Sequence, residues 1–171
     1  EYLAAKDYAA LGDYLNRYGR SLPDDSLVRF CENTAANAVL LYFAQHAKDG
    51  GIDYDVKSEI PQNIGISETD ISVSLGNLLE NALDACKADS AKVKKIIVRA
   101  NTEGGSLCVT VDNTFTGELK KTLDGKLIST KHRGTGLGTE SVKSIAEKYG
   151  GVCRLENRNG FFYASVLCRP N

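Results

Sequence analysis

Leu75-Gly76-Asn77-Leu78-Leu79-Glu80-Asn81-Ala82-Leu83-Asp84-Ala85-Cys86 is the stretch whose reading decides the fold. At about 3.6 residues per turn, Leu75, Leu78, Leu79, Ala82, Leu83 and Cys86 fill one side of a helix. Asn77, Asn81 and Asp84 lie opposite, with Glu80 at their margin. Asn77 and Asn81 are one turn apart and share a face. Asparagine is a mediocre helix former, because its side chain competes for backbone hydrogen bonds. Two on one face call for a reason. A solvated polar face is the plainer one. The sharper one is an amide oxygen on a hard cation such as Mg²⁺, completed by waters and nucleotide phosphates.

Some fifty residues on stands Gly134-Thr135-Gly136-Leu137-Gly138, opening another helix. Free N–H groups and the dipole at a helix start favour an anion, and glycines keep side chains out of its way. No Gly-Lys-Ser/Thr follows, which excludes a Walker A loop, and no strand precedes, which excludes a Rossmann fingerprint. Lys131, His132 and Arg133 sit just before the glycines, where a basic group can neutralise a phosphate. A flexible turn with a solvated basic flank is the alternative.

Outward from these motifs the chain reads as one α+β domain with a helical appendage. Glu1 to about Arg20 has helical periodicity, and Ser21-Leu22-Pro23 breaks it. A second helix is predicted over Asn33–Lys48, with Ala36, Val39, Leu40, Phe43 and Ala47 on one stripe and Gly50-Gly51 at its end. Ile52, Tyr54 and Val56 alternate with charged residues as a half-buried strand does. Ser67-x-x-Asp70 is a capping box for the helix that runs to about Lys87. Strands are predicted at Lys95–Ala100 and Leu107–Asp112, a polar loop at Thr114–Arg133, and a helix at Thr139–Tyr149. A final hairpin turns at Asn159-Gly160. The expected architecture is a two-layer sandwich, helices on a mostly antiparallel sheet. Residues 1–50 are expected as part of a dimerisation hairpin and 51–171 as the catalytic layer.

Composition narrows the function. At 171 residues the chain buries a full core, and a net charge of −1 provides no basic field for nucleic acid or anionic lipid. No apolar run approaches the roughly 18 residues of a membrane span. The five cysteines show no C-x-x-C spacing and read as small apolar fillers in a reducing cytosol. The absence of methionine suggests a piece of a longer polypeptide.

The Asn77–Ala85 segment resembles the N box, and Gly134–Gly138 the second glycine box, of the GHKL ATP-binding superfamily, which includes gyrase, histidine kinases and MutL. The likeness is closer to the catalytic domain of bacterial sensor histidine kinases, in particular the AgrC-type peptide-sensing branch. Asn113-Thr114-Phe115, Ser129-Thr130-Lys131 and the Val142 to Gly151 stretch support it. The resemblance implies the Bergerat-type fold over residues 52–168, with Asn33–Ile52 as the second dimerisation helix. It further implies ATP and Mg²⁺ as ligands, with Asn81 on the metal and Asn77 assisting at the phosphates. Glu80 and Asp84 lie on the same helix as candidates, Glu80 among the catalytic ones. The amides around Gly134, Gly136, Leu137 and Gly138, with Lys131 and Arg133, would hold the triphosphate. Asn113 would meet the adenine amino group where the common kinase pattern carries aspartate. Residues 114–133 would form the lid.

The implied reaction is transfer of the γ-phosphoryl group to a histidine upstream of Glu1, in a homodimer on the cytoplasmic side of a membrane receptor, with a response regulator as partner. Neither His46 nor His132 looks like the acceptor. A GHKL ATPase or anti-sigma-type serine kinase is one alternative. Its relatives carry a glutamate at the position of Asn77, and Glu80, turned about 100° away, is a poor substitute. A catalytically silent nucleotide-binding or dimerisation module is the other.

Overall fold

The computed structural model describes residues 28–88, 93–117 and 137–170. The expected first helix, over Glu1–Arg20, and the loop from residue 118 to 133 lie outside the described residues. Three helices and five strands follow in the order α1 (Thr34–Asp49), β1 (Asp53–Ser58), α2 (Glu68–Ala88), β2 (Lys95–Glu103), β3 (Ser106–Thr114), α3 (Leu137–Lys148), β4 (Val152–Arg158) and β5 (Phe161–Cys168). One sheet runs β1-β2-β3-β5-β4. β1 pairs with β2 in parallel, with α2 as the crossover between them, and every other pairing is antiparallel.

Local chemistry sets the boundaries. Asn33 caps α1 by accepting a hydrogen bond from the Ala36 amide at 2.9 Å. Gly50 closes that helix, and Gly51 turns the chain at φ +64. The β2–β3 turn uses Gly104 and Gly105 at φ +56 and +76, and the last hairpin uses Asn159 and Gly160 at +52 and +76. Both are the left-handed pairs that match the twist of adjoining strands. Gly150 stops α3 at φ +60.

The alternation expected of the strands is what packs the layers. Val98, Ala100, Val109, Val111, Ala164 and Val166 point to the helices and are buried. From above, α2 contributes Leu75, Leu78, Leu79, Ala82, Leu83 and Cys86, all at most 6% exposed. The opposite sheet face is half-exposed and mixed, crossed by Lys95–Asp53 at 2.9 Å and Arg99–Asp55 at 2.7 Å.

α1 packs onto the same core as the sheet. Ala36, Val39, Leu40, Phe43 and Ala47 lie in the same hydrophobic cluster as the sheet and α2. The Asn33 amide also bonds to the Ile60 carbonyl at 2.9 Å, and its side chain to the Gln62 carbonyl at 3.0 Å. The apolar stripe of α1 is covered within the chain, and the packing is continuous across residue 50. The physical reason is the width of the sheet: β1 adds an edge that α2 and α3 leave uncovered, and α1 covers it.

Candidate functional site

α2 is the element around which the candidate residues gather. Ser67 caps it, accepting from the Asp70 amide at 3.1 Å, as the capping box predicts. The apolar side of the helix lies on the sheet, and its Asn-bearing side is divided between two fates. Asn81 is exposed. Asn77, one turn earlier, is only 5% exposed, with its side-chain N–H donated to the Val73 carbonyl at 2.9 Å. What covers Asn77 is the start of α3: a Cβ placed on Gly138 would stand 2.5 Å from Asn77 Oδ1 and 3.2 Å from its Cγ.

α3 begins at Leu137, two residues before the predicted Thr139, so Gly138 sits in its first turn. The first turn also carries Glu140, 3.4 Å from Lys143. The first N–H groups of an α-helix have no acceptor within the helix, and this first turn lies at the level where Asn77 meets Gly138. Lys131, Arg133, Gly134 and Gly136 lie outside the described residues, as does the side chain of Leu137.

Glu80 is half-buried. The Tyr42 hydroxyl of α1 is pushed up first by burial and then by the Glu80 charge. Asp84, also half-buried, sits one turn beyond Glu80. Neither carboxylate occupies the Asn77 position against α3.

Asn113, near the end of β3, is 1% exposed and on the helix-facing side, as strand alternation predicts. Its side-chain N–H donates to the Thr114 carbonyl at 2.9 Å, which leaves Oδ1 as an acceptor. Thr114 is itself held, its Oγ1 accepting from the Lys95 amide at 3.1 Å and lying 3.5 Å from Cys86 Sγ on α2. Asp112 faces the other side of the sheet, where burial pushes its carboxyl up against the charges of Arg99 and Arg158.

A constellation the sequence reading missed ties the far end of α3 to the start of α2. Asp70 Oδ2 accepts from Lys148 Nζ at 2.7 Å, Tyr149 OH at 2.6 Å and Ser67 Oγ at 2.7 Å. The Ser67 amide in turn donates to Tyr149 OH at 3.1 Å. Burial pushes the Asp70 carboxyl up, but these hydrogen bonds outweigh it and hold the group below its usual range. The capping box was the visible half of this knot. Its partners lie some eighty residues away, beyond any local pattern.

Among the described residues no group of three or more His, Cys, Asp or Glu side chains stands ready to hold a metal, and no helix is long and apolar enough to cross a membrane.

The family model described as the GHKL domain matches residues 66–169, from the start of α2 through β5. The chain belongs to the GHKL domain family. It is 33% identical over 129 residues to the sensor protein CitS of Halalkalibacterium halodurans, covering 70% of this chain and 24% of that protein. It is 25% identical over 143 residues to a probable C4-dicarboxylate sensor kinase of Bacillus subtilis, covering 78% and 26%. The match therefore spans about a quarter of either relative. Among solved structures, the nucleotide-free catalytic domain of histidine kinase ThkA superposes with a TM-score of 0.63 at 22% identity, covering 80% of this chain and 90% of that one. Full-length ShkA in complex with AMPPNP superposes at 0.55 and 17% identity, covering 91% and 34%. At these identities the structures establish the shared fold. GHKL kinase domains bind nucleotide.

Proposed function

We propose that this chain is the ATP-binding catalytic domain of a sensor histidine kinase, presenting the γ-phosphoryl group of Mg-ATP to a histidine upstream of Glu1. The observation that carries this reading is the seating of the start of α3 on Asn77, one turn from the exposed amide of Asn81. A helix start and a free amide oxygen side by side suit a triphosphate and its hard cation. When bound, Mg²⁺ supplies charge neutralisation at the phosphates, and Asn81 is the side chain that would hold it.

Asn113 supports the same reading from the sheet. With one amide N–H engaged by Thr114, its Oδ1 remains as an acceptor, which matches the exocyclic amine of adenine. In a phosphoryl transfer of this kind the chain's part is to bind, orient and exclude water. No glutamate stands at position 77, where the hydrolytic GHKL relatives carry one, and the Glu80 charge lies close enough to α1 to act on Tyr42. That favours donation to a protein histidine over hydrolysis. Kinship with CitS and the C4-dicarboxylate sensor kinase supports the class. On this reading the intact protein is a membrane receptor with a cytoplasmic catalytic domain, working as a homodimer with a response regulator. Asn113 in place of aspartate inclines it to the AgrC-type branch.

Isothermal titration with AMPPNP and Mg²⁺ tests the proposal. Wild-type chain is expected to bind, GTP to compete poorly, and Asn81→Ala to weaken binding about tenfold or more, an energy of about 1.4 kcal/mol. Absence of binding at millimolar nucleotide sinks the reading. Steady ATP hydrolysis abolished by Glu80→Gln would move the chain to the hydrolytic class.

A further inference from the structure

Glycines at a phosphate-binding helix start are ordinarily explained by the room they leave for the ligand. Gly138 faces elsewhere. It stands four and eight residues before Val142 and Ala146, both 0% exposed, so its missing side chain belongs to the stripe that α3 buries. The atoms that a Cβ would meet there belong to Asn77: Oδ1 at 2.5 Å, Cγ at 3.2 Å and Cβ at 3.5 Å. Asn77 cannot easily give way. It is 5% exposed, and its N–H is tied to the Val73 carbonyl at 2.9 Å.

We propose that Gly138 and Asn77 form a positioning pair: the glycine lets α3 seat on the Asn77 amide, and this seating sets where the start of α3 stands relative to Asn81. Asn77 is then a positioning residue that bears on α3, and the phosphates meet the helix start from another side. The proposal rests on reading that helix start as the triphosphate end. The seating itself is a property of the nucleotide-free chain.

The two explanations of Gly138 predict opposite signs, and a double-mutant cycle separates them. Alanine is a better helix former than glycine, so Gly138→Ala raises the Tm of the nucleotide-free chain if the position is open toward a ligand. If the pair is packed as described, Gly138→Ala lowers Tm by several degrees. In an Asn77→Ala background, which removes Oδ1 and Cγ, the same change becomes neutral or stabilising. Titration with Mg²⁺ and AMPPNP provides the second readout. Gly138→Ala is expected to weaken binding about tenfold or more, as displacement of a binding element does, and Asn77→Ala/Gly138→Ala to recover part of that loss. A Tm that is unchanged or raised in both backgrounds, with additive losses in affinity, overturns the proposal in favour of ligand clearance. If the wild type binds no nucleotide, the proposed function falls, while the sign of the Tm change still decides the seating.

Discussion

The two ends of α3 are fixed to α2 by different physics. At its start, contact is steric and uncharged, a missing side chain at Gly138 against a buried amide at Asn77. At its finish, contact is ionic and hydrogen-bonded, with Lys148, Tyr149 and Ser67 converging on one carboxylate oxygen of Asp70. The helices run antiparallel, so the charged knot lies at the capped start of α2 and the close approach falls in its middle. A short-range steric contact defines position sharply and is indifferent to pH and salt. A charged knot tolerates small displacements but answers to both. The sharp end is the one beside Asn81, where geometry matters for binding. The tolerant end is remote from it.

The largest effect is expected from removing the support that both ends share. Leu79 is 0% exposed beneath α2, and Leu79→Ala should cost about 2–5 kcal/mol in urea unfolding. If the loss is much smaller, α2 is not the common platform.

Next comes the charged end alone. Asp70→Ala leaves Tyr149 OH and Lys148 without their acceptor and should cost about 1–3 kcal/mol. Asp70→Asn sharpens the contrast through pH. The folded carboxyl lies below its unfolded value of about 3.9, so its stabilisation is present above that pH and is lost as pH falls through the folded value. Urea midpoints at pH 7 and pH 3 should therefore differ less in Asp70→Asn than in wild type. An equal drop in both would show that the acid sensitivity lies elsewhere.

The smallest effect belongs to Lys148. Its side chain is 59% exposed, so Lys148→Ala should shift the urea midpoint least of the three, and added salt should shrink even that shift. A salt-independent loss would mean that its stem packs on Tyr149, whose ring centroid lies 5.1 Å from Nζ, more than its charge pairs with Asp70.

Much of the fold was legible because it is encoded at short range. Periodicity placed α1, α2 and α3, alternation placed the strands, and the Gly104-Gly105 and Asn159-Gly160 turns placed the hairpins. The position of Asn113 on the helix-facing side followed from counting by two along β3. The site was legible in part. Leu75 to Cys86 announced a helix with one apolar and one amide-bearing side, but its periodicity assigned Asn77 and Asn81 to the same environment.

Sequence alone thus determined which residues form α2, which side of it is apolar, and that a glycine-rich segment opens a later helix. Those properties depend on neighbours within one or two turns, whose geometry the backbone fixes. Only the tertiary structure decided that α1 covers the β1 side of the sheet, that Asn77 is buried while Asn81 stays exposed, and that Tyr149 closes on Asp70. Each of these depends on where a second element lands, which is set by how the apolar stripes pack together and leaves no mark in the local pattern of either partner.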